Sequence, residues 1–130
     1  MRSENSTIFG GISATLLWEN PNPNVAFPRT TLDIDVSSYK FLIIKTIPIT
    51  INPEKATLVM VELSTIVNNY FVGKYINNDS EWSGNIAQRA VRNVDGKLFI
   101  SNAQANSLDY PTHNVPIEIY GVNGSIQGIK

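Results

Sequence analysis

The segment 30–36, TTLDIDV, places the tightest constraint on the fold. Leu32, Ile34 and Val36 alternate with Thr31, Asp33 and Asp35, the period-two pattern of a strand with one apolar and one solvated face. Just before it, ENPNPNVAFP (19–28) carries Pro21, Pro23 and Pro28, which lack the N–H that a ladder needs, so this stretch reads as a loop. Just after it, Ser37-Ser38-Tyr39 turns the chain into KFLIIKTI (40–47), apolar enough to be a strand buried on both faces. A half-buried strand, a turn and a fully buried strand in succession require layered sheets.

The same alternation of strand and turn continues. ATLLW (14–18) opens the pattern, and TLVMVEL (57–63) follows a proline-punctuated connection. Residues 70–76, IAQRAVR (86–92), KLFIS (97–101) and VPIEIYGV (115–122) supply the remaining strand signals. Asp95-Gly96 separates two of them and predicts a tight hairpin, because both central residues of its favoured turn need positive φ. PEKATLVMVELSTIV (53–67) is the best helical candidate, yet its β-branched density favours strand. Neither an internal repeat nor a linker breaks the chain. The expectation is an all-β protein, one antiparallel β-sandwich of about eight strands over residues 1–130, with 1–11 a loose N-terminal segment.

Composition narrows the function classes. Charged residues make up 16% of the chain, against about 25% in an average domain. The net charge is −1 and like charges form no runs, so the footprint of a nucleic-acid binder is missing. Fifteen Asn supply polarity instead and suit turns, since Asn tolerates left-handed backbone. With no cysteine, disulfides, thiolate nucleophiles and thiolate metal sites are excluded. The N-terminal residues lack the apolar core of a signal peptide, and the expected location is the host cytoplasm, with the membrane periphery or the virion as destinations.

Catalytic chemistry finds no purchase. Asp33 and Asp35 share a strand face but read as its solvated side. Asp79, Glu81, Asp95 and Asp109 fall in segments read as loops that would converge at one end of a sandwich, as calcium loops do, without the spacing of a calcium-binding hand. No cofactor is expected, with calcium the least excluded. His113, the single histidine, has no nucleophile elbow beside it. Gly10-Gly11 lacks the spacing and the lysine of a phosphate loop. A non-enzymatic role is therefore expected. Aromatic residues offer contact surfaces: Trp18 reads as core, whereas Trp82, Tyr75 and Tyr110 in polar surroundings are the candidate partner contacts, and Tyr70 and Tyr120 could join a stacking platform.

Two groups of short motifs carry a resemblance. The first is Leu17-Trp18, Asn20-Pro21, Phe27, LDIDVSSY (32–39) and the apolar strand 42–44. The second is Arg89 and Arg92 leading through Gly96 into LFIS (98–101), then Asn114 and VPIEIYGV (115–122). In this order the chain resembles a β-sandwich module of phages and prophages of Gram-positive hosts, nearest in size and plan to prophage lytic-cassette proteins of the XepA and YomS type. The centre, 48–85, matches only in character. The resemblance implies a C2-like or jelly-roll-like sandwich assembling as a pentameric ring, associated with the lysis cassette or tail, with the host membrane or another phage protein as partner. Lytic activity is not implied, because in that family it accompanies an additional domain. Related modules in tail fibres and baseplates imply the alternative of a receptor- or carbohydrate-binding role.

Overall fold

The computed structural model describes residues 6–9, 11–23, 25–47, 57–72, 88–105, 108–109 and 114–122. Their strands are β1 (Ser6–Phe9), β2 (Ile12–Glu19), β3 (Thr30–Asp35), β4 (Phe41–Ile47), β5 (Thr57–Glu62), β6 (Asn69–Val72), β7 (Gln88–Val94), β8 (Lys97–Ile100), β9 (Gln104–Ala105), β10 (Leu108–Asp109) and β11 (Val115–Val122). All pairings are antiparallel, and no helix occurs among the described residues. One sheet runs β1-β2-β11-β4-β5 and the other β10-β9-β7-β8-β3, with β6 on the free side of β7. The all-β sandwich read from the sequence is the fold.

Alternation accounts for the layers. Leu42, Ile44, Val61 and Ile119 of the five-stranded sheet meet Phe71, Val91, Leu98 and Ile100 of the other in one buried cluster. Leu32 and Ile34 pack against this cluster, while Thr31, Asp33 and Asp35 are exposed, as the period-two pattern requires. Strand β4 is buried on both sides because the opposite face of its sheet carries a second apolar cluster of Ala14, Ile43, Tyr120 and Val122. The best helical candidate forms strand β5 instead, its β-branched side chains fitting the pleat.

Turn chemistry fixes the registers. Val94 pairs with Lys97, so Asp95 (φ 53°) and Gly96 (φ 87°) form the two-residue hairpin that the sequence predicted. The Oδ1 of Asn93 accepts a 2.7 Å bond from the Gly96 N–H and clamps the turn. Within the first eleven residues, read as loose, β1 is instead a paired strand. Phe9 pairs with Ile12 across a glycine turn in which Gly11 adopts φ 92°, which lets the chain fold back at once.

The corner at Ser37-Ser38-Tyr39 closes onto the final strand. Tyr39 donates its N–H to the Val36 carbonyl, and Lys40 donates to the Val122 carbonyl. Gly121 lies directly beneath Tyr39: a Cβ there would stand 2.6–2.8 Å from three ring carbons. Glycine is needed at 121 for this close approach of ring to backbone.

Candidate functional site

On β7 successive side chains point to opposite faces, and the two arginines of this strand serve different ends. Arg89 points inward and is 0% exposed. Its Nε donates to the Asn114 carbonyl at 2.8 Å, and one terminal nitrogen donates to the carbonyls of Phe27 and Ser101, both at 2.9 Å. The guanidinium also lies 5.2 Å from the centroid of the Phe27 ring. Phe27 in turn meets Trp18 edge-on at 5.8 Å. Burial pushes the Arg89 pKa down to about 10, which leaves it charged at neutral pH. Arg89 is a structural bolt: it satisfies three carbonyls from segments that have no strand partner for them.

Arg92 lies on the opposite, outer face of the six-stranded sheet. It pairs across the strands with Phe99, which pairs in turn with Thr31. Arg29, just before β3, stacks its guanidinium over the Phe99 ring at 5.3 Å. The backbone N–H of Arg29 is held at 2.7 Å by the Oδ1 of Asn102. Arg29, Thr31, Asn68, Arg92 and Phe99 border a depression of about 480 Å³. Arg92 also borders a second depression of about 520 Å³, shared with Ser37, Thr65, Asn93, Asp95 and Gly96. Neither Arg29 nor Arg92 pairs with a carboxylate among the described residues, and the Nε of Arg92 is buried without a hydrogen-bond partner. Tyr70, 58% exposed, stands on the same face one strand further on, where it pairs with Ala90.

A third depression of about 540 Å³ lies where the proline loop leaves β2, bordered by Glu19, Asn20, Ile47 and Glu118. Glu19 and Glu118 are direct cross-strand partners. Lys45 stands 3.9 Å from Glu118, which also accepts a 2.7 Å bond from the Tyr120 hydroxyl. Asn20 ties this loop to β11 through bonds to the Pro116 and Ile117 carbonyls. The like charges are offset locally, and no group of three metal-ligating side chains occurs among the described residues.

The residues singled out in the sequence separate cleanly. Asp33 forms a 2.7 Å ion pair with Lys97, whose hydrogen bond and charge hold the Asp33 carboxyl below its ordinary range. Asp35 accepts from the Ser37 hydroxyl and N–H, which lower its pKa as well. Both are therefore engaged residues of a solvated face. Asp95 sits in the hairpin turn, and Asp109 belongs to β10 rather than to a loop. Trp18 packs against the main core, as its position closing an apolar strand suggested. Tyr120 is 7% exposed with its hydroxyl bonded to Glu118, so it offers no stacking surface. Trp82, Tyr75, Tyr110, His113, Asp79 and Glu81 lie outside the described residues. No protein-family model, curated protein or solved structure matches the chain.

Proposed function

We propose that the protein is a non-enzymatic, self-assembling β-sandwich module of phage or prophage origin, serving a lysis cassette or a tail, with the host membrane or another phage protein as further partner. One observation carries the self-assembly. Among the described residues, strands β5 and β6 each have one side on which no strand is paired, and contacts between them place the two sides together on one flank. Leu58, Met60, Tyr70 and Val72 on these strands are 41–58% exposed, and Ile66 and Val67 in the connection are 79% and 54% exposed. Apolar side chains gathered along open strand edges favour pairing with another chain. A flank of this kind meeting a different surface of the next subunit closes into a ring when the rotation permits. The phage setting and the pentamer rest on the sequence resemblance alone.

Light scattering on the purified protein tests this reading. The expected result is one discrete oligomer at micromolar concentration, converted to monomer by Met60→Lys with the β-type circular dichroism retained. A strict monomer at high concentration would overturn it. The alternative, a receptor- or carbohydrate-binding module, draws support from the exposed Tyr70 beside the Arg29, Arg92 and Phe99 surface.

A further inference from the structure

We propose that Arg29 and Arg92 form a binding site for a phosphoryl group on the outer face of the six-stranded sheet. This goes beyond self-assembly and gives the alternative binding role its ligand class, on which it otherwise does not depend.

The argument begins with charge. The chain has few charged residues, and the cations on this face are treated unequally. Lys97 is neutralised by Asp33 at 2.7 Å. Arg29 and Arg92 border one depression and have no carboxylate partner among the described residues. Two guanidiniums left facing a shared hollow repel each other unless an anion lies between them.

Geometry adds direction. Phe99 separates the two arginines in the sheet and serves as a floor for Arg29, whose guanidinium lies 5.3 Å from the ring centroid. Stacking occupies the flat face of that group and leaves its N–H edge free, the edge that matches an oxyanion. The Asn102 bond to the Arg29 N–H fixes the backbone from which this side chain reaches. On the other side the Nε of Arg92 is already withdrawn from solvent yet unpaired. A buried cationic donor without a partner is costly, and a shift of the Arg92 side chain toward the hollow would let an acceptor oxygen satisfy it. Thr31 and Asn68 add neutral donors at the rim.

The donor set selects the ligand. The described residues that border the hollow include two guanidiniums and no carboxylate, which fits a group with several acceptor oxygens and more than one negative charge. Phosphate meets that description better than a carboxylate. The hollow, about 480 Å³, has room for more than the anion, so the phosphoryl group can belong to an ester. Asp95 borders the neighbouring depression and limits the positive field to this hollow. With only Arg29 and Arg92 bordering this hollow among the described residues and a net charge of −1 for the chain, the surface does not suit a nucleic-acid backbone.

Isothermal titration calorimetry at constant ionic strength provides the test, with inorganic phosphate, glycerol 3-phosphate and chloride as probes. Saturable binding of a phosphoryl probe but not of chloride is expected, weakened about tenfold or more by Arg92→Gln and again by Arg29→Gln. Tighter binding of glycerol 3-phosphate than of phosphate identifies an esterified ligand; equal affinity identifies the free anion. Lys45→Gln, which removes a cation on the other sheet, should leave binding unchanged. Near-ultraviolet circular dichroism of each variant verifies the fold, and Phe99→Leu, which removes only the floor under Arg29, gives a second route should an arginine variant misfold. Binding of neither probe to the wild type, or equal binding to the folded double variant Arg29→Gln/Arg92→Gln, overturns the proposal.

Discussion

The Nε of Arg89 and the carbonyl oxygen of Asn114, 25 residues apart in sequence, meet at 2.8 Å in the interior. Asn114 has φ 53°, a left-handed conformation that Asn tolerates better than most residues, and this places its carbonyl at the start of β11 within reach of β7. Replacing Arg89 by Met should keep the packing volume and strand three carbonyls. At about 1–3 kcal/mol for each buried polar group left unsatisfied, the loss should be about 3 kcal/mol or more. Urea unfolding of Arg89→Met, with its midpoint compared with wild type, measures it. Arg89→Lys should rescue little, because one ammonium cannot reproduce the planar fork.

Gly121 and Tyr39 predict a coupled pair. Gly121→Ala should cost about 1–3 kcal/mol, since the new methyl falls against the base of the ring rather than its mobile end. In a Tyr39→Ala background the same substitution should cost much less. A double-mutant cycle in denaturant reads the coupling directly, and additive losses would show that the ring does not press on this position.

The hairpin at Asp95-Gly96 separates backbone effects from side-chain effects. Gly96→Ala at φ 87° should cost about 1–2 kcal/mol through left-handed strain. Asp95→Asn should be nearly neutral, because Asn accepts the same conformation. Thermal unfolding of both variants gives the comparison.

Acid should act through the exposed carboxylates of β3. The Lys97 hydrogen bond holds Asp33 below its ordinary 3.8, and Ser37 does the same for Asp35. A carboxylate whose folded pKa is depressed contributes stability that is present above its unfolded pKa and is lost as pH falls through the lower, folded value. Stability should therefore hold at pH 5 and decline below about pH 4, with Asp33→Asn removing part of the decline. At the alkaline end Lys97, raised above 10.5 by Asp33, contributes stability that disappears as pH rises through its folded pKa. Carboxylate chemical shifts followed by NMR against pH give the site-specific check.

Local pattern carried the sheets. The alternation in 30–36 placed Leu32 and Ile34 inward, the largely apolar run at 41–47 signalled a strand covered on both sides, and Asp95-Gly96 named its own hairpin. What escaped was long-range. Arg89 takes its acceptors from residues 27, 101 and 114, and no nearby pattern announces them. One signal was present: in the strand Arg89 is in phase with Val91, so an apolar inward face required a charged member. Arg92 falls in the opposite phase, and its pairing with Phe99 depended on a hairpin register, while the stacking of Arg29 depended on a third strand. The aromatic contacts read from polar surroundings, Trp82, Tyr75 and Tyr110, fall outside the described residues.

Strand β11 lies at the middle of the five-stranded sheet, between β2 and β4, although it is the last of the described strands in the chain. A nascent chain on the ribosome thus exposes β2 and β4 with nothing to join them until residues 115–122 have emerged. Closure of this sheet must wait until β11, far along the chain from β2, has been made, which makes folding slow to begin and early segments dependent on protection from premature association.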